Sequence, residues 1–161
     1  MADVRSKTSS RDRVRGFVRE LGLESRILEF EHSTKTAQMA ADAAGCELGQ
    51  IVKSLVFVVD GRPIVALVAG DRRGDGDAIA RATGGVRVSF ADADTVREAT
   101  GYAIGSVSPF DLPDGLPILI DDSLSRFDVL YPAAGTQSAM IRLNRDELLA
   151  IVGGRVARIS H

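Results

Sequence analysis

The alternation of apolar and polar positions divides the chain into short elements. Over residues 11–21, Val14, Phe17, Val18 and Leu21 recur at helical spacing, and Gly22 suits the residue after a helix end. "SRILEFEH" alternates and predicts a short strand. "STKTAQMAADAAG" predicts a helix capped by Ser33 or Thr34 and ended by Gly45. Two β-branched runs, residues 55–59 and 64–69, flank the turn-forming "DGRP". Both runs are nearly continuous in apolar residues, which predicts strands covered on both faces and central in a sheet.

Beyond them, "GDRRGDGD" reads as a loop, "DAIARATGG" as a helix ended by glycine, "VRVSF" as a strand and "ADADTVREATG" as an Asp-capped helix. "YAIGSVSPFDLPDGLP" is irregular, and "ILIDD" is a short buried strand. "SLSRFDVLYPAAG" gives a helical turn, a strand fragment and a turn, and "QSAMIRL" a strand. "NRDELLAIVGG" carries Asn144 with Glu147 three residues on, the pattern of a capping box, and "RVARIS" is a last strand. The irregular interleaving predicts one mixed α/β domain, residues 11–161, around a mostly antiparallel or mixed sheet with flanking helices. Residues 1–10 read as a loose, polar N-terminus.

Composition narrows the function classes. A chain of 161 residues is about one domain and can bury a core without staples. A net charge of -2 argues against broad non-specific nucleic-acid binding but leaves room for a local basic patch. One cysteine, Cys46, excludes an internal disulfide, and with two histidines it gives no zinc spacing. No apolar run is long enough for a bilayer, and "MADVRSKTSSRDR" lacks the apolar centre of a signal peptide, so a soluble, cytoplasmic protein without a membrane partner is expected.

Candidate chemistry centres on Lys53, a charge at the mouth of a core-forming strand. On a rigid element a lysine is a well-placed point charge for a phosphate or carbonyl oxygen; the plainer reading is an ammonium that reaches water from a strand end. In "GYAIGSVSP", Gly105 lets backbone approach a ligand, Ser106 and Ser108 could donate hydrogen bonds, and Pro109 stiffens the loop; a simple turn is the alternative. Gly135, Thr136, Gln137 and Ser138 form a second small polar loop. His32 precedes a helix start, where a ligand or only solvent could meet it. Cys46 has no base nearby in sequence and reads as a small apolar group. "GDRRGDGD" lacks the phosphate-binding loop pattern, its "RGD" is read as chance, and the aspartates lack calcium-loop spacing. "GSVSP" is not a nucleophile elbow.

Taken in order, "HSTKTAQMAADAAG", "IVKSLVF", "TGYAIGSVSPFD", "ILIDDSL" and "AAGTQSAMIRL…DEL" resemble the YbaK/prolyl-tRNA-synthetase-associated domain family of aminoacyl-tRNA editing enzymes, over residues 26–159. The resemblance implies a compact mixed α/β domain around a strongly bent sheet. It implies hydrolysis of the carboxylic ester of mischarged tRNA, typically alanyl- or cysteinyl-tRNA(Pro), with no metal, cofactor or covalent intermediate. By it, Lys53 matches the functional lysine and Gly105 the glycine whose N–H meets the substrate carbonyl. The substrate would be bordered by His32, Thr34, Ser54, Ser106, Pro109, Gly135, Thr136, Gln137 and Ser138. The partner implied is the acceptor end of an aminoacyl-tRNA, with prolyl-tRNA synthetase or an elongation factor as helper. Two departures stand out: "AGTQSAM" carries neither a glycine-lysine-arginine nor a histidine-bearing sequence, and Met140 replaces the acidic residue of some cysteinyl-tRNA deacylases. A non-catalytic module of the same fold, binding a tRNA end, a nucleotide or a protein, is the alternative.

Overall fold

A computed structural model describes residues 9–161. The expected loose N-terminus falls largely on residues 1–8, outside the described residues, whereas Ser9 and Ser10 already start a helix. In that helix, α1 (Ser10–Glu20), the Ser9 hydroxyl accepts the Asp12 N–H at 3.1 Å, and Val14 and Val18 turn inward. There follow β1 (Ile27–Glu29), α2 (Ala37–Ala44), β2 (Ile51–Val59), β3 (Arg62–Ala69), α3 (Gly76–Thr83), β4 (Val88–Phe90) and α4 (Ala93–Thr100). After a long irregular segment come β5 (Ile118–Asp121), β6 (Val129–Pro132), β7 (Ala139–Ile141), β8 (Leu143–Asn144), α5 (Arg145–Val152) and β9 (Arg155–Ala157).

The β2–β3 hairpin organises the fold. Asp60 and Gly61 have φ of 49° and 83°, the double positive pair of a two-residue turn that matches strand twist. The Asp60 carboxylate also accepts the Arg87 N–H at 2.8 Å, which ties the approach to β4 onto the turn. The strands run in the order β8-β6-β2-β3-β5-β9, with β4 also on β2 and β1 paired separately with β7. Pairings β2–β6, β3–β5 and β5–β9 are parallel and the rest antiparallel, so the sheet is mixed, as the sequence predicts.

Both faces of the hairpin are covered, which explains its continuous apolar runs. One face packs Val52, Val56, Val65 and Leu67 against Val14, Val18, Ile120 and Leu148. The other packs Phe57, Val59, Ala66 and Val68 against Ile79, Leu119 and Ile159. Helix α2 departs from expectation. Its cap is Thr36, whose hydroxyl accepts the Met39 N–H at 3.1 Å, and not Ser33 or Thr34. Those two hydroxyls are bonded instead to Gln137, across the site described next.

Candidate functional site

A cavity of about 330 Å³ opens beside β2, and the strand register creates it. On one edge β2 pairs with β6 at Ile51 and Val52, and with β4 from Phe57 to Val59. Between these contacts the edge has no strand partner among the described residues. The Ile51 carbonyl accepts the Gly70 N–H at 2.8 Å on the β3 side, and the Val56 carbonyl accepts the Ala91 N–H at 3.0 Å on the open side. Backbone groups alternate sides along an antiparallel strand, so the Ser54 N–H and carbonyl face the gap. Ser54 lines the same cavity, and its hydroxyl is buried without a hydrogen-bond partner among the described residues.

Lys53 points to the opposite face of β2 from Ser54, beside Leu55 and Phe57. Its side chain is half-buried, and the ammonium donates to the Arg72 carbonyl. Burial pushes its pKa below the ordinary lysine value, the Arg73 charge adds to the fall, and Asp71 opposes it. Asp71 is itself held by Arg126 through two bonds of 2.9 and 2.7 Å. Arg73 thus brings further positive charge near Lys53, and Lys35 lines the cavity as well.

Gly105 lies in a turn closed by the Ser106 N–H donating to the Ala103 carbonyl at 2.9 Å. Its φ of 82° lies in the left-handed region that favours glycine. That bond occupies the Ser106 N–H, and Gly105 itself lines the cavity. Tyr102 buttresses the loop from within: it is fully buried, donates its hydroxyl to the Phe110 carbonyl at 2.5 Å and carries the Arg13 guanidinium over its ring at 4.4 Å.

Gln137 joins the two loops. Its carbonyl accepts both the N–H and the hydroxyl of Thr34 at 2.6 Å, and its side-chain oxygen accepts the Ser33 hydroxyl at 3.0 Å. Its amide nitrogen stands 3.0 Å from where a Cβ on Gly105 would be. The loop without a histidine or a basic pair is therefore a bracket between the 33–34 segment and the Gly105 turn.

Lys53, Gly105, Thr34, Ser54, Thr136 and Gln137 all line this cavity. His32, Ser106, Pro109, Gly135 and Ser138 stand outside its wall. His32 is exposed and Pro109 is buried. Gly135 packs on α1, where a Cβ would meet the Ser10 carbonyl oxygen at 2.4 Å. The Ser138 carbonyl accepts the Phe30 N–H at 2.8 Å. Met140 forms part of the apolar wall with Ala91, Val96, Val107 and Tyr131. Phe90 and Ile104, which sequence reasoning passes over, line the cavity while largely exposed. Cys46 is outside the cavity, and burial pushes its thiol above its ordinary pKa. The "RGD" stretch serves the fold: Asp75 caps α3, and Gly74 packs on the Phe57 ring. Among the described residues no group of three or more His, Cys, Asp or Glu side chains could hold a metal ion, and no helix is long and apolar enough to cross a membrane.

The sequence model of the aminoacyl-tRNA editing domain matches residues 31–151. The uncharacterized protein YwhH of Bacillus subtilis is 36% identical over 126 residues, covering 78% of this chain and 80% of its own. The Multifunctional Ser/Thr-tRNA deacylase ProXp-y of Escherichia coli is 28% identical over 156 residues, covering 94% and 93%. A crystal structure described as a candidate trans-editing enzyme for prolyl tRNA synthetase superposes with a TM-score of 0.87 at 39% identity, over 96% of this chain and 98% of that one.

Proposed function

The chain belongs to the aminoacyl-tRNA editing domain family, and on that premise we propose that it hydrolyses the ester of a mischarged tRNA. The observation that carries this reading is the gap in the β2 edge, where the Ser54 backbone faces the same cavity as Lys53 and Gly105. The Lys53 ammonium holds the terminal phosphate or the ester region of the acceptor end. The N–H groups of Gly105 and Ser54 meet the ester carbonyl oxygen as it gains negative charge. Water, aided by the neighbouring ribose hydroxyl of the tRNA, attacks the carbonyl carbon. The ester C–O bond breaks to release the free amino acid, and the leaving ribose oxygen regains its proton. Each preorganised donor of this kind lowers the barrier by ~3 kcal/mol, which suffices for an already activated ester without a strong base.

The cavity wall is apolar at Val56, Val96, Val107 and Met140, which suits an uncharged amino acid. Alanine and cysteine on tRNA(Pro) are the first candidates. The Ser54 hydroxyl, without a partner among the described residues, adds serine, because it offers a hydrogen bond to a polar side chain or to the α-amino group. Prolyl-tRNA synthetase is the proposed partner, since the superposed structure is described as acting for that enzyme.

The test is a deacylation panel of alanyl-, cysteinyl- and seryl-tRNA(Pro) with wild type and Lys53→Ala. Wild type clears at least one substrate, and Lys53→Ala abolishes clearance with its thermal midpoint unchanged. Clearance at the wild-type rate by the variant sinks the mechanism. A wild type that binds the tRNAs and hydrolyses none of them shows a binding module instead.

A further inference from the structure

We propose that Phe90 is a stacking platform for the unpaired 3′-terminal base of the RNA, a positioning role that rests on the editing reading above. Among the described residues six large hydrophobic side chains are exposed: Leu21, Met39, Val86, Phe90, Ile104 and Val156. Single exposed apolar residues need no explanation. Phe90 and Ile104, however, are the two of these that line the candidate site, at 66% and 56% exposure.

Phe90 is also held in place. It is the register partner of Phe57, and the two rings lie 4.4 Å apart between centroids, tilted by 30°. Phe57 is only 2% exposed, so it is fixed by the core and backs one side of the Phe90 ring. The rest of that ring stands free at the cavity edge. Cross-strand partners share a sheet face, and residues 53, 55 and 57 share one too, so Phe90 and Lys53 lie on the same face. Their places along β2 are four residues apart, about 13 Å of strand. Both residues border the cavity, with the Lys53 ammonium held at the Arg72 carbonyl. Lys53, with the Arg73 charge near it, supplies charge for a phosphate, and Phe90 supplies an apolar π-face for the base beyond it. Every base has such a face, so the contact fixes position without reading sequence.

The experiment uses the full chain and a hairpin RNA with an unpaired 3′ tail ending in 2-aminopurine, whose fluorescence falls when it stacks on an aromatic ring. Wild type quenches the probe. Phe90→Ala abolishes the quench and weakens binding about tenfold, the order expected for one lost base–aromatic stack. Phe90→Tyr keeps both, and circular dichroism and the thermal midpoint of both variants match wild type. On mischarged tRNA, Phe90→Ala raises KM about tenfold and changes kcat by less than about twofold. An unquenched probe with wild type, or an unchanged quench with Phe90→Ala, overturns the proposal, whatever the deacylation assay gives. A Phe90-dependent quench in a protein that hydrolyses no aminoacyl-tRNA keeps the platform and removes the editing reading.

Discussion

Ser54 sits between two core valines on β2, and its hydroxyl is buried with no partner among the described residues. A buried, unsatisfied hydroxyl costs stability, and selection for folding alone would favour alanine there. Ser54→Ala is therefore expected to leave urea-unfolding stability unchanged or raised by up to about 1 kcal/mol. The same change should raise KM for the cleared aminoacyl-tRNA, because a substrate group loses its hydrogen bond. A loss of stability with KM unchanged would mean that the hydroxyl serves the fold. The sequence makes some of this site legible and hides the rest. Lys53 draws notice as a charge entering a continuous apolar run, but by position alone it reads as a strand-end ammonium, and only the family resemblance makes it a site candidate. Phe90 is invisible, because one aromatic at a short strand's end looks like any core residue until its partner Phe57 is known. His32 and Pro109 show the opposite limit: they adjoin cavity-lining segments, yet their placement relative to the cavity comes from tertiary packing.

Two loops built on glycine bring distant segments together, and their glycines differ in what they tolerate. At Gly105 the positive φ alone costs a non-glycine residue about 1–2 kcal/mol. An added methyl there meets the Gln137 amide nitrogen at 3.0 Å, the end of a side chain that can swing aside. At Gly135 the φ is 93°, and the methyl would meet the Ser10 carbonyl oxygen at 2.4 Å, which cannot yield without shifting α1. Gly135→Ala should therefore lose more stability in urea than Gly105→Ala, while Gly105→Ala loses more deacylation activity. The reverse order of stabilities would show that α1 is loosely docked. Elements closed by local chemistry are readable from sequence: the Asp60–Gly61 hairpin turn, the Asp92 cap of α4 and the Asn144–Glu147 box of α5. The start of α2 is not, because Ser33 and Thr34 are good caps by type. The competing partner, Gln137, is more than one hundred positions away and outbids the helix for their hydroxyls.

At the scale of the whole molecule, one buried carboxylate links the sheet to the site. Asp121, at the end of β5, is 1% exposed and accepts the Ile159 N–H at 2.9 Å, the Ser160 hydroxyl at 2.6 Å, and both the N–H and the hydroxyl of Ser123. The segment it holds grips the next loop in turn: Asp75 N–H donates to the Ile159 carbonyl, and Arg73 and His161 exchange two backbone bonds, all at 2.9 Å. That loop includes Arg72, whose carbonyl receives the Lys53 ammonium. Burial, the largest influence on Asp121, pushes its pKa up, but the donors together outweigh it and leave it below the ordinary value. Bonds from Arg126 to Asp71, from Arg26 to Glu147 and from Arg19 to Glu24 hold those carboxyls low too, with Glu24 at about 2. Folded pKa values below unfolded ones mean that the unfolded chain binds more protons between the two. Stability from these groups is thus complete above the ordinary carboxylate range and is lost as pH falls through the folded values. The thermal midpoint should hold level from about pH 7 to 5 and fall below about pH 4. Asp121→Asn should cost about 2 kcal/mol at pH 7, since an amide cannot satisfy the same set of donors, and should flatten the acid fall. It should also lower deacylation at neutral pH through the loosened Arg72 loop. An acid limb as steep as wild type with full neutral stability would disconnect Asp121 from both the fold and Lys53.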